Sequence, residues 1–119
     1  DLSKGQYGCV GQGLHIARKL LPYIPQNAGI LLVPCCRGGS GLTVGNDGTF
    51  SETSGASENS FRWGVGKPLY QDLLSRTRVA LEKNPKNRLL AVCWMQGEND
   101  LADGSQQHSG LFTAMVQQF

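Results

Sequence analysis

Two polar, glycine-bearing stretches carry the residue types best suited to chemistry, and each follows a short apolar run. The first is Cys36-Arg37-Gly38-Gly39-Ser40-Gly41 and the second is Trp94-Met95-Gln96-Gly97-Glu98-Asn99-Asp100. Glycine lets a backbone N–H come close to a ligand. Glu98 and Asp100 form a possible carboxylate pair, since two residues of extended chain separate their Cα atoms by ~6–7 Å. Other chemistries fail on spacing. Gly-Gly-Ser-Gly is not G-x-S-x-G, because Leu42 stands where the last glycine belongs, and no phosphate-binding G-x-x-x-x-G-K-[ST] occurs. His15 and His108 lack metal-ligand spacing, so no metal and no cofactor is expected. His15 reads as helix surface or packing, and His108 as a solvated residue of a polar segment.

The elements that must position these stretches read as an alternating α/β chain. Tyr7, Val10, Leu14, Ala17 and Leu21 fall on one face of a helix from Tyr7 to Ile24, ended by Pro22 and Pro25. Gly29 to Cys35 is a branched apolar run, expected to be a strand covered on both faces. Residues 37–66 form a long loop rich in Gly, Ser, Thr and Asn, a length that usually serves function. Pro68 to Asn84 is a second helix with Leu69, Leu73, Ala80 and Leu81 inward and Thr77 bridging the gap. Asn84-Pro85-Lys86-Asn87 turns the chain into a second strand, Leu89 to Trp94. A polar stretch leads to a third helix from Leu111 to Phe119. Two apolar strands joined by a helix make a right-handed βαβ crossover with parallel strands. Ligands in such sheets bind beyond the carboxyl ends of the strands, which is where both motifs lie.

Composition narrows the class. With 119 residues the chain is one domain or less, and 39% hydrophobic with 17% charged residues excludes disorder as the dominant state. A net charge of +2 is too mild for a nucleic-acid footprint, and no apolar run spans a bilayer. Cys9, Cys35, Cys36 and Cys93 suit neither paired disulfides nor a zinc knuckle. They read as structural free thiols, which points to a reducing, cytoplasmic setting. The chain opens on Asp1 rather than Met and closes at Phe119 within an expected helix, so it reads as a segment of a longer protein.

The run Trp94-Met95-Gln96-Gly97-Glu98-Asn99-Asp100 resembles the W-x-Q-G-E-x-D block of the SGNH-type carbohydrate esterases, which include sialate O-acetylesterase and acetylxylan esterase domains. Arg37-Gly38-Gly39-Ser40 resembles the second block of the same family. Tyr7 to Ile24, Asn27 to Ser40, Arg62-Trp63-Gly64 and Pro68 to Leu73 are similar to the bacterial and prophage N-acetyl-9-O-acetylneuraminate esterases. The resemblance implies a three-layer α/β/α, flavodoxin-like fold with a parallel sheet, incomplete in this chain. Residues 1–119 would be the central part of a single esterase domain. It implies serine ester hydrolysis of O-acetylated sugars, 9-O-acetylated sialic acid above all. Gln96 would be the side-chain oxyanion donor and Gly39 the backbone donor, with Gly38 as a one-residue alternative. Glu98 would orient the site or support the base. Arg37, Gly38, Ser40 and Trp63 would lie against the substrate.

The chain departs from the family pattern at two blocks. Gly11-Gln12-Gly13 has glycine where the G-Q-S nucleophile block has serine. No D-x-x-H occurs, since Ser105 stands three before His108 and Gln12 three before His15. Nucleophile and base are therefore expected beyond Asp1 and Phe119, and the chain alone is expected to be inactive. Three functions stay open: the oxyanion-hole part of a sugar O-acetylesterase, a catalytically dead sugar-binding or assembly remnant, and a hydrolase using Glu98 and Asp100. Trp63 reads equally as core packing or as a platform for a sugar ring, and Trp94 reads as packing.

Overall fold

The computed structural model describes residues 11–43, 62–101 and 105–119. Three helices run through them. Helix α1 spans Gln12–Leu20 and tightens into a 3₁₀ turn at Leu21–Tyr23. Helix α2 spans Pro68–Glu82, and helix α3 spans Ser105–Val116. A second 3₁₀ turn, Glu98–Asp100, lies between α2 and α3.

Helix α2 begins where its sequence directs it to. Pro68 occupies the first turn, where its fixed φ suits the helix and its missing N–H costs nothing. The Asn-Pro-Lys-Asn turn closes the other end. Asn84 Oδ1 accepts from the Lys86 N–H at 2.9 Å, and the Asn87 side-chain amide donates to the Ala80 carbonyl at 2.8 Å. One otherwise unpaired carbonyl of the last turns is thereby satisfied. Tyr70 and Leu73 are buried, and Leu69, Leu74, Thr77 and Ala80 are half-buried beside them. Leu81, expected inward, is exposed.

Helices α1 and α3 depart from the periodicity. In α1 the more buried face is Gly13, Ile16 and Ala17, while Leu14 and Leu21 of the expected stripe are exposed. A Cβ at Gly13 would meet Leu32 Cδ1 at 3.5 Å, so the small residue is the one that approaches the neighbouring chain. Tyr7 and Val10 lie outside the described residues. Helix α3 starts at Ser105, six residues before the apolar signal, and ends at Val116 rather than running on to Phe119. His108, Phe112 and Met115 (i, i+4, i+7) form its inward face, with Met115 fully buried.

The two expected strands do not form a ladder. Residues 29–35 and 89–94 carry no strand, and the one bridge among the described residues is an isolated parallel pairing of Gly41 with Arg62. The Trp63 N–H donates to the Gly41 carbonyl at 2.9 Å and the Leu69 N–H to the Arg62 carbonyl at 3.2 Å, so this pairing ties the first motif to the start of α2. A strand is a property of a pair, since its N–H and C=O groups bond outward to a neighbour. Apolarity on both faces marks a segment built to be covered, and Leu31 at 63% and Leu90 at 68% exposure are not.

The core is small and sits directly beneath the motifs. Leu42, Trp63, Tyr70, Leu73 and Met115 are buried together, with Cys35, Leu69, Leu74, Trp94 and Phe112 packed against them. Trp94 meets Trp63 edge-on with ring centroids 4.9 Å apart, and Phe112 at 5.5 Å. Aromatic edges thus link both motif segments to α3.

Candidate active site

The two glycine-bearing stretches meet, and a buried carboxylate joins them. Asp100, 1% exposed, lies in the 3₁₀ turn of the second stretch and receives four hydrogen bonds. The Thr43 N–H and hydroxyl donate to Oδ1 at 2.8 and 2.6 Å. The Leu42 N–H donates to Oδ2 at 3.2 Å and the Gln96 amide at 2.7 Å. Burial by itself would raise the carboxyl pKa. The bonds from Thr43, Gln96 and the Leu42 backbone outweigh it and hold the group below the ordinary aspartate value. Asp100 is therefore a fixed anion.

Gln96 spans the junction. Its Nε2 donates to the Ser40 carbonyl at 3.0 Å as well as to Asp100. Exchanging the amide oxygen and nitrogen would aim an acceptor at two acceptors, so the orientation is dictated by the neighbours. Both Nε2 hydrogens are committed, and the buried Oε1 has no hydrogen-bond partner among the described residues. Asn99 adds a second donor to the same Ser40 carbonyl at 3.1 Å.

The first stretch is braced from its other side by its own serine. Ser40, 4% exposed, donates its hydroxyl to the Arg37 carbonyl at 2.7 Å and accepts the Trp63 indole N–H at 2.9 Å. Between these anchors stand Gly38 and Gly39, both half-buried, with Gly39 at φ 73°. That left-handed conformation is nearly free for glycine and strained for other residues. Neither glycine N–H has a protein partner among the described residues. The geometry therefore offers uncommitted backbone donors at Gly38 and Gly39, backed by a rigid frame.

The remaining expected residues fall into two groups. Glu98 is exposed on the 3₁₀ turn, and Arg37 is exposed on the rim of an open groove of about 360 Å³ with Arg76 and Asp72. Arg76 is held by Asp72 at 2.8 Å and by the Pro34 carbonyl at 3.2 Å. Trp63 and Ser40, expected against substrate, are interior instead. Trp63 is 5% exposed with its edge against Trp94 and its N–H spent on Ser40, so it presents no face to a sugar. Nor do Glu98 and Asp100 act as a pair, because one is exposed and the other is sealed and saturated. The Cys35 thiol, also on the groove, is pushed up by burial and is a poor thiolate nucleophile.

Sequence reasoning gave no role to Thr43 or Asn99, read His108 as solvated, and weighed Asp100 only as a partner of Glu98. His108 is not solvated. It is half-buried on α3 with its ring stacked on Phe112 and its Nε2 3.8 Å from Asp100 Oδ2, beyond hydrogen-bond reach. The final Asp of the W-x-Q-G-E-x-D block was the available signal for Asp100. Nothing local marks Thr43, which meets Asp100 across 57 positions.

The site is a pair of glycine-bearing loops that meet over a buried polar frame, with the Gly38 and Gly39 N–H groups uncommitted among the described residues. The chain belongs to the sialic acid-specific acetylesterase family of carbohydrate esterases, whose profile matches residues 1–119. It is 63% identical over 115 residues to a probable 9-O-acetyl-N-acetylneuraminic acid deacetylase of Escherichia coli (strain K12), covering 96% of this chain and 35% of that protein. It also matches the solved structure titled "Crystal structure of NanS" with a TM-score of 0.78 at 63% identity, covering 95% of this chain and 36% of that one. The chain thus shares the fold of that structure over its own span, and it spans about a third of the length of both relatives. No helix among the described residues is long and apolar enough to cross a membrane.

Proposed function

We propose that this chain supplies the oxyanion-stabilising part of a serine esterase that removes O-acetyl groups from sugars, with 9-O-acetylated N-acetylneuraminate as the substrate. The observation that carries the reading is the pair of uncommitted N–H groups at Gly38 and Gly39, held on a left-handed turn between two anchors. Acyl transfer puts negative charge on the carbonyl oxygen, and preorganised donors stabilise it by ~2.7–4 kcal/mol each. Gly39 N–H is the backbone donor in this reading, with Gly38 beside it. Arg37, exposed on the groove, suits the sugar carboxylate, and Glu98, exposed on the 3₁₀ turn, can orient a catalytic base. The serine nucleophile and histidine base implied by the family are matched by no position of these 119 residues. The full layered α/β/α fold with a parallel sheet, and a cytoplasmic location suggested by the free thiols Cys35, Cys36 and Cys93, belong to the same reading.

The test is a chimera in which this segment replaces the 115 aligned residues of the Escherichia coli relative. The expected result is acetate release from 9-O-acetylated N-acetylneuraminate by the chimera and none by the 119-residue chain alone. A well-folded chimera that binds the sugar without turnover would favour the sugar-binding remnant, a reading that the absent G-Q-S and D-x-x-H blocks keep in play. Turnover by the isolated chain would refute the division of roles.

A further inference from the structure

We infer that Cys35 and Cys36 form a vicinal dithiol site for a trivalent arsenical, a soft and thiophilic ligand, and that filling it blocks the approach to the Gly38–Gly39 turn. The site rests on geometry, while its effect on turnover rests on the esterase reading. Both cysteines are free thiols, Cys35 half-buried and Cys36 exposed. Successive side chains of a strand face opposite ways, but these two stand where the apolar run ends, on backbone that forms no strand. Both line the same open groove of about 360 Å³. Cys36 joins directly to Arg37, whose carbonyl accepts the Ser40 hydroxyl at 2.7 Å, and the Gly38–Gly39 turn follows.

Adjacent thiols are poorly placed for each other and well placed for a third atom. The Cys35–Cys36 peptide is trans. Consecutive Cα atoms are then about 3.8 Å apart, below the usual ~4.4–6.8 Å of a disulfide. A bridging arsenic holds the sulfurs apart by two As–S bonds and so relieves the closure. Sulfur ligands favour soft acceptors over the hard cations that carboxylates hold. Protonation fits as well. Burial pushes the Cys35 thiol up, the Arg76 charge pulls against it, and Asp72 and Cys36 add to the rise. A protonated thiol is a poor thiolate nucleophile, yet it is what this ring closure consumes. On an arylarsenic bearing two hydroxyls, each thiol gives its proton to one hydroxyl as an As–S bond forms and an As–O bond breaks. Two waters leave, arsenic stays trivalent, and no oxidant or reductant is needed. The aryl group is left in the groove beside Arg37. Cys93 and Cys9 have no cysteine next to them in the chain, so each offers a single As–S bond.

Phenylarsine oxide, added to the chimera in excess mercaptoethanol, is the probe. The expected adduct gains one phenylarsenic group for two hydrogens lost, maps to the peptide carrying Cys35 and Cys36, and is removed by dimercaptopropanol. Cys35→Ser and Cys36→Ser should each weaken retention by ~100-fold or more, because the second bond of a chelate forms at high effective concentration. Cys93→Ser and Cys9→Ser should leave retention unchanged. Turnover should be lost on loading and return with dimercaptopropanol, while each Cys35 or Cys36 variant should keep its own untreated rate. Retention that survives Cys35→Ser or Cys36→Ser, or that is lost with Cys93→Ser or Cys9→Ser, would overturn the site. If a serine variant fails to fold, peptide mapping of the unsubstituted adduct decides, and an adduct on any other peptide overturns the site. Full loading with unchanged turnover would overturn the blocking role. An untreated chimera without turnover would sink the esterase reading, while the mass data would still decide the dithiol site.

Discussion

At Asp100 a single side chain collects two hydroxyl or amide donors and two backbone N–H groups in a space closed to water. Its folded pKa lies below the unfolded value of ~3.9, so its stabilisation is complete above that value and is lost as pH falls through the lower, folded one. Asp100→Asn should lower stability by about 1–3 kcal/mol at pH 7, because the amide cannot accept all four bonds, and the gap should narrow in strong acid, where the carboxyl is protonated. Urea midpoints of the chimera from pH 7 to 2 measure this, and a gap that stays constant with pH would contradict it. Gly41 reports on the same packing, because a Cβ there would stand 2.9 Å from Asp100 Oδ1. Gly41→Ala should cost about 1–3 kcal/mol in the same melts, since the carboxylate is bonded too tightly to move aside. At this scale the sequence was legible in types and not in tasks. Gln96, Gly38 and Gly39 could be singled out from their chemistry. Whether Gln96 offers an N–H or spends it depends on Ser40, 56 residues away, and spacing carries no such information.

Helix α3 shows what local patterning misses among the elements. Ser105-Gln-Gln-His-Ser-Gly has weak helix propensity and no apolar stripe, so it reads as a polar tail. Tertiary contacts decide otherwise: His108 stacks on Phe112, Phe112 meets Trp94, and Met115 fills the core. Met115→Ala should cost about 2–5 kcal/mol by leaving a cavity beneath Leu42 and Trp63, read as a lower thermal midpoint. Gly110 gives the opposite expectation. Nothing lies within 4 Å of a Cβ placed there, so Gly110→Ala should stabilise by about 0.5–1 kcal/mol through helix propensity alone. The bounds of helix α2, by contrast, were legible to within two residues, because Pro68 and the Asn84-Pro85 turn are local signals with local causes, although Leu81 of its expected stripe is exposed. The two apolar runs were legible as segments meant for a sheet, yet their pairing is a non-local event that the described residues do not contain.

Across the whole molecule, apolar surface and site chemistry are separated. Buried side chains gather under the two motifs, while Leu31, Leu32, Leu89, Leu90 and Val92 stand exposed along the segments that lead into them. Exposed runs of this kind mark surfaces that another element covers. The relatives, of which this chain spans about a third, supply enough further chain to do so. The 119-residue chain alone should then bind a hydrophobic dye such as ANS strongly and self-associate as concentration rises. The chimera should bind the dye weakly and run as a single species of its own size. The energetic reason is that fully burying a Leu or Val contributes up to ~1.5–3 kcal/mol, so five such side chains are comparable with the ~5–15 kcal/mol margin of a typical domain. Fluorescence titration and sedimentation of the two proteins, side by side, measure the difference. Equal dye binding would mean that these faces are water-exposed in the longer protein as well. The approach to the Gly38–Gly39 turn along residues 29–37 would then be a surface rather than a supported wall, and the rigidity ascribed to the turn would have to come from the hydrogen bonds at Arg37 and Ser40 alone.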